Sequence, residues 1–300
     1  YTSTVSDVYQ DLFEEGLYLG KAIYDVNAFE KALANRVPEN ALLSHDLFEG
    51  LFTRVALATD VEILDEFPSR FNVFSKRQHR WVRGDWQLLP WMFPRVPNAE
   101  MKRYATPFSR LNCWKLVDNL RRSMMAPACF LIFLLAWLFF PGPSALWSGA
   151  VLLVMGFPIY SGLVDALLSP PIGISVGLYL RGVLRDFLRN TAQLTLSLSF
   201  VPYQAYLIMH AVIITLWRLL ISRRNLLEWE TAYSSERRLG VELGGFINQM
   251  LPGWVLTALA HAAVYRFNPA AHSHALPFLC LWYLSPFLAW WVSRPLPPVE

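Results

Sequence analysis

The chain is poor in charge and in cysteine. Only 16% of its 300 residues are Asp, Glu, Lys or Arg, against 54% hydrophobic and 15% aromatic, whereas soluble globular domains carry about 25% charged residues. An ordinary soluble protein is therefore excluded. The three cysteines, Cys113, Cys129 and Cys280, stand far apart, and two lie in apolar runs. They offer neither the paired spacing of a disulfide framework nor a zinc site. No basic run occurs and the net charge is only +3, too little electrostatic footprint for a nucleic-acid backbone. Internal repeats and low-complexity tracts are also missing. The opening Tyr1-Thr-Ser-Thr-Val-Ser-Asp has neither an initiator Met nor the apolar core of a signal peptide, so the expectation is a fragment of something longer.

What charge there is lies unevenly. Residues 1–125 hold 16 basic and 16 acidic side chains; residues 126–300 hold 10 and 7, and all ten basic residues there are Arg. A soluble region precedes a membrane region. In the first, apolar spacing predicts helices over Asn27–Ala34, Leu42–Ala58 and Phe74–Trp91, and short strands around Leu17–Tyr24 and Val61–Phe67. The three prolines of Pro90–Pro97 predict a connector, and Phe108–Asn119 an amphipathic lead-in to the bilayer.

Beyond it, Met124–Phe140 is an uncharged run flanked by Arg121 and Arg122, which can snorkel to the interface. Pro141-Gly-Pro-Ser then turns into Ala145–Leu168, giving a transmembrane hairpin over 124–168. Phe246–Tyr265 and Ala275–Val292 predict a second, over 246–293. Between them, Arg181, Arg185 and Arg189 recur every fourth residue opposite Leu180, Val183, Leu184, Phe187 and Leu188, the pattern of a helix lying in the interface. With Arg218, Arg223, Arg224, Arg237 and Arg238 nearby, the positive-inside tendency favours interfacial or re-entrant helices over 174–238, with both chain ends cytoplasmic, against the alternative of a single crossing by Thr191–Leu220, which Gln193, Pro202, Gln204 and His210 interrupt. A transporter or channel would place charges inside its spans, whereas Asp165 and Arg218 fall near segment ends.

Two polar constellations can carry chemistry. Ser44-His45-Asp46-Leu47-Phe48-Glu49-Gly50 places a carboxylate at a helix start, where it can serve as a general base. The alternative is that Asp46 only caps the helix. A metal-dependent phosphohydrolase reading of His45-Asp46 lacks its further ligands, and no metal site is expected in this chain. Arg77-Gln-His-Arg-Trp-Val-Arg-Gly-Asp-Trp-Gln87 gathers Arg77, Arg80, Arg83 and Trp81 on one helix. Guanidinium groups suit a diphosphate and an indole suits a sugar face, though a basic, aromatic membrane-interface helix has the same composition.

The order of these parts resembles the processive membrane glycosyltransferases of the GT-A type, relatives of cellulose and chitin synthases. There an Asp in a Thr-Glu-Asp-like motif is the catalytic base, and a Gln-x-x-Arg-Trp helix binds the acceptor end and the pyrophosphate. Asp46 matches the base and Arg80-Trp81 the Arg-Trp. The match is imperfect: Ser-His-Asp replaces Thr-Glu-Asp, and Gln78 comes one position late, with Arg77 in the expected place. Five blocks in order are similar to the bacterial cyclic β-1,2-glucan synthases: Val8–Gly16, Gly20–Val26, Pro38–Gly50, Arg77–Gln87 and Ser222–Trp229.

That resemblance implies an α/β GT-A C-terminal half-domain over 1–100, a linker over 101–123 and an all-α transmembrane region. It implies a hexosyltransferase of the bacterial inner membrane that moves glucose from UDP-glucose to a growing β-1,2-glucan with inversion. Asp46 is then the base, Arg80 and Arg77 meet the diphosphate, Trp81 stacks on the acceptor, Gln78 and His79 orient nearby groups, and Gly20 and Lys21 form the acceptor loop. No Asp-x-Asp triplet occurs in residues 1–125. The Mg or Mn ion and most of the donor site are therefore expected upstream, and the isolated piece is expected to be inactive. The competing expectations are another processive, cellulose-synthase-like β-glycan enzyme, and a scaffold without catalysis.

Overall fold

The computed structural model describes residues 7–18, 20, 22–43, 46–58, 60–61, 63–64, 68–100, 102–171, 173, 175–228 and 239–295. It is mostly helical, and the chain divides into two compact units. The first comprises residues 1–69, 73–123 and 208–238; the second comprises 70–72, 124–207 and 239–300.

The first unit begins with three short helices: α1 Val8–Phe13, α2 Val26–Leu33 and α3 Asp46–Thr53. Asp25 caps α2 by accepting from the Ala28 amide at 2.7 Å, the usual work of a short acidic side chain at a helix start. Helix α3 is shorter than the apolar spacing predicts. Arg54 adopts a left-handed φ of 51° and stops it, and at its front Leu42 and Leu43 are not helical. Next comes α4, Phe71–Gln87, whose first two residues belong to the second unit, and then a 3₁₀ turn at Leu89–Met92 with Pro90 in its first positions.

The two predicted strands are not found. Their described residues, 17–18, 20, 22–24, 61 and 63–64, carry no ladder. The β structure among the described residues is instead an antiparallel ribbon of β1 Arg95–Pro97 and β2 Arg103–Ala105, inside and just after the segment read as a connector. Val96 is fully buried on it while Pro97 ends the strand, a position at which a missing N–H costs little. A large sheet of the α/β kind is therefore not present in the described part of this chain. Helix α5, Arg110–Ser123, packs within this unit, burying Leu116 and Leu120. The core around it gathers Leu42, Phe48, Leu51, Trp91, Val96 and Phe108.

The second unit holds α6 Met125–Leu138, α7 Ser144–Leu168, α8 Val176–Ser199, the first turns of α9 Val201–Trp217, α10 Leu243–Phe267 and α11 His272–Val292. The bounds of α6, α7, α10 and α11 fall within a few residues of the predicted apolar spans. The stretch read as interfacial is one long helix, α8, followed by α9, which a π turn at Arg218–Ser222 extends. Among the described residues three segments, Ser144–Leu168, Val201–Ser222 and Pro269–Val292, are long and apolar enough to cross a membrane; Val201–Ser222 lies in the stretch expected to be interfacial or re-entrant, and the expected span within α10 is not among the three. Phe133 and Trp137 of α6 meet Phe278 and Trp282 of α11 with ring centroids 4.7–5.9 Å apart. Close approach of α9 to α10 depends on Gly253, since a Cβ there would lie 2.8 Å from the Cβ of Tyr203.

Candidate functional site

The site in the first unit is assembled around the start of α3. Phe48 is completely buried, edge-on to Trp91 at 4.9 Å and to Phe52 at 5.0 Å. Two residues back is about 200° around a helix, so anchoring Phe48 turns Asp46 outward. Asp46 is exposed at the N-terminal end of α3, where the helix dipole is positive.

A second segment comes up against it. The chain at 14–17 is pinned from three sides. The Gly16 amide donates to Val55 O at 2.7 Å, the Leu17 amide donates to the Asp7 carboxylate at 3.0 Å, and Lys115 Nζ reaches Glu15 and Gly16 O at 3.2 Å. Three residues on, Gly20 sits at φ +92°, and a Cβ there would stand 2.7 Å from Asp46 Oδ2. Only glycine allows both that dihedral and that approach. Beside it, burial first, and then the charges of Glu49 and Asp46, raise the Tyr18 hydroxyl above the ordinary tyrosine range. Gly20 and Asp46, two of the residues expected to act together, thus meet. Lys21, like Ser44 and His45, lies outside the described residues.

Helix α4 presents different residues on different sides. Arg80 lies within electrostatic reach of Asp46. Burial and then Arg77 lower the pKa of its guanidinium, and Asp46 opposes them. Arg77 stacks over the Trp81 ring at 4.7 Å, leaving the indole about one third exposed. Gln78 has a buried Oε1 with no hydrogen-bond partner among the described residues. His79 turns another way: its Nε2 is 2.9 Å from Nδ1 of His210. Burial first, then His210, Arg83, Lys76 and Arg218, push its pKa down to about 4. His79 is therefore neutral at pH 7.

Arg83 does not face a diphosphate. It is buried and donates to the carbonyls of Glu228 at 2.7 Å and Leu226 at 3.2 Å. Gln87, one turn on, donates to Leu226 O at 2.9 Å and accepts the Leu43 amide at 2.6 Å. It thereby ties the loop ahead of Asp46 to the Ser222–Glu228 stretch, which Arg218 also grips through Asn225 O at 2.7 Å and Glu228 Oε2 at 2.6 Å. Sequence reasoning grouped these residues by type and missed these roles.

Asp85 is a further residue that sequence reasoning did not single out. Burial pushes its carboxyl up to about 6, with Asp46 adding to the rise, while a hydrogen bond from Asn119 and the charge of Arg122 pull it down. Arg122 in turn donates to Asn119 Oδ1 at 3.0 Å, and Trp86 Nε1 donates to Ser123 Oγ at 3.0 Å. The result is a polar seam joining α4 to α5. Two carboxyl groups of different environment near one another is an arrangement suited to proton transfer. Among the described residues, no group of three or more His, Cys, Asp or Glu side chains converges to hold a metal.

No family model matches the chain. A curated relative does: the cyclic beta-(1,2)-glucan synthase NdvB of Rhizobium meliloti (strain 1021) is 37% identical over 297 residues. The aligned part is 98% of this chain and 10% of that protein, so the chain spans about one tenth of the relative's length. Along almost its whole length, then, this chain is similar to one tenth of a cyclic β-1,2-glucan synthase, as its five sequence blocks indicate.

Proposed function

We propose that this chain is the acceptor side and membrane region of a GT-A type glycosyltransferase that transfers glucose from UDP-glucose to a growing β-1,2-glucan at the bacterial inner membrane. The observation that carries the reading is the approach of Gly20 to the Asp46 carboxylate, with Arg80 in electrostatic reach of that same group. Its likeness to a named glucan synthase supports it. A base, a backbone loop that can bring an acceptor to it and a desolvated cation are what a displacement at an anomeric carbon needs.

In this mechanism Asp46 takes the proton of the acceptor hydroxyl as that oxygen attacks the anomeric carbon. The bond from that carbon to the UDP oxygen breaks, its electron pair leaves with UDP, and the Arg80 guanidinium neutralises the charge that develops. One displacement inverts the α-linked donor to a β-linked product and requires one base. Arg77 over one face of Trp81 fixes the ring, so its remaining face and edge are set in advance for the acceptor sugar. Gln78 Oε1, buried and without a partner among the described residues, would meet a sugar hydroxyl only if its side chain turned outward. The divalent cation of such enzymes is assigned to residues outside this chain, and no step here depends on it.

The decisive test uses the full-length enzyme. Asp46→Asn should lower UDP-glucose turnover by about 100- to 10,000-fold, the usual contribution of a positioned base, while the amount of folded protein is unchanged. Near-normal turnover would remove Asp46 from the mechanism. Linkage analysis of the glucan made by the wild type separates a β-1,2 product from that of a cellulose-like synthase. A calorimetric titration of the isolated chain with UDP-glucose should show weak binding or none.

A further inference from the structure

Asp46, Glu49 and Gly50 stand at i, i+3 and i+4 of α3 and therefore share one face of it. Tyr18 lies directly against that face, since a Cβ on Gly50 would come 2.8 Å from the Tyr18 Cβ. Glu49, Asp46 and Tyr24 are all within electrostatic reach of the Tyr18 hydroxyl. That hydroxyl has no hydrogen-bond partner among the described residues.

The chain then leads away from the base. Gly20 presses on Asp46, and Tyr24 follows four residues later, at most about 14 Å along an extended chain. Tyr24 is 53% exposed, and its ring pairs with that of Phe29 at 4.7 Å. Both rings line a groove of about 490 Å³ along α2, together with Glu30, Leu33 and Val37. Ligand clefts span about 300–1,000 Å³ and combine a mostly apolar lining with a few polar groups, so this one is of ligand size.

Charge decides what can lie there. Asp46, Glu49 and Glu30 repel a phosphate or a carboxylate, and a wholly apolar ligand would strip water from the carboxylates and the phenol without replacing it. A neutral sugar meets both demands. Its hydroxyls donate to carboxylates and accept from the phenol, and its C–H face lies on an aromatic ring.

We propose that Tyr18, Glu49 and Tyr24 form a second acceptor subsite beside Asp46, which holds the sugar behind the reacting one in the growing glucan, with Tyr24 and Phe29 as its stacking wall. The terminal sugar stays with Trp81. This subsite rests on the reading of Asp46 as the base and extends it from one sugar to the next.

Hydrogen exchange on the full-length enzyme, titrated with a short linear β-1,2-linked gluco-oligosaccharide, tests it. Amides over residues 17–33 should become protected as sugar is added. Tyr24→Ala and Glu49→Gln should each move the midpoint of that protection about tenfold to higher sugar concentration, as the loss of a contact to a charged group or a ring does. Tyr24→Phe, which keeps the ring, should move it less. Tyr24 is exposed and glutamine has the shape of glutamate, so folded yield should hold in all three. Exchange unaltered by sugar, or a midpoint unmoved in Tyr24→Ala or in Glu49→Gln, overturns the subsite. So does protection already complete without sugar, which would mean that another part of the polypeptide covers the groove. Asp46→Asn separates the two readings: lost turnover with no protection by sugar at 17–33 removes the subsite and keeps the base, whereas near-normal turnover with protection intact removes the base while the sugar site stands.

Discussion

The two units keep their backbones in place by different balances of polar and apolar contact. In the first, polar ends of long side chains reach across sequence to main-chain groups: Gln87 to Leu43 and Leu226, Arg83 to residues 226 and 228, Lys115 to Gly16. In the second, hydroxyls mostly satisfy the carbonyl one turn back, as Thr257 does with Gly253 and Ser293 with Ala289. Long-range contact there rests mainly on rings and small residues, with a few ring N–H groups and Asn268 reaching distant carbonyls, as Trp282 does Leu198 O and Asn268 does Trp137 O. Where water competes for every hydrogen bond, a bond to the backbone specifies which loop lies against which helix; in an apolar surrounding, helices satisfy themselves and shape decides the packing. A catalytic carboxylate needs the first kind of order, because it must be held at a loop.

Four substitutions in the full-length protein would break or sharpen this contrast. Trp282→Ala should have the largest effect on folding. It removes a buried ring from the α6–α11 cluster and the bond of its Nε1 to Leu198 O at 3.0 Å, at a cost of about 3–5 kcal/mol. Folded yield in detergent should fall, while turnover per folded molecule stays near wild type. Gln87→Ala should cost about 2–4 kcal/mol, since the Leu43 amide and Leu226 carbonyl both lose a buried partner. Unlike the tryptophan change, it should also lower turnover per folded molecule, because the loop ahead of Asp46 is freed.

Gly20→Ala comes next. A left-handed dihedral costs a residue with a Cβ about 1–2 kcal/mol, and the new methyl would press on the Asp46 carboxylate. Steady-state kinetics should show a larger loss in turnover than in stability; the reverse would place Gly20 in a purely structural turn. The finest test is Asp85→Asn. The Asp85 carboxyl is raised from an ordinary 3.8 to about 6, so below pH 4 it is protonated whether folded or unfolded. Between about 4 and 6 the folded state holds a proton that the unfolded state has released, and stability falls as pH rises; above 6 it levels off. Hydrogen-exchange protection of α4 and α5, taken relative to the asparagine variant, should decline over that window. A rise would contradict the burial of this carboxyl.

The apolar helices α6, α7, α10 and α11 were legible because a helix in lipid must satisfy its own backbone, so length and hydropathy mark it, whereas the crossing length of Val201–Ser222 was masked by the polar residues that interrupt it. Helix α2 was legible from its apolar spacing, and α4 from the periodicity that puts Arg77 beside Trp81. Asp46 stood out at a helix start, as a base or as a cap, and its role as base, like that of Gly20, came only through family likeness. The described residues of the strands expected at Leu17–Tyr24 and Val61–Phe67 carry no ladder, because alternation is a promise of pairing that only a partner strand can keep. His79 shows the same limit for a side chain: its motif suggests substrate, and its nearest ring belongs to His210, 131 residues away.

Sequence by itself therefore determined the division into charged and apolar regions, the apolar helices α6, α7, α10 and α11, and the likeness to a cyclic β-1,2-glucan synthase. All of these follow from local composition, period or motif order. Tertiary structure alone decided that Gly20 touches Asp46, that Arg83 and Gln87 grip main-chain carbonyls, and that Asp85 is held near neutrality. Each of those depends on which distant backbone arrives within about 3 Å of a side chain, and hydrogen bonds and desolvation act only at that range.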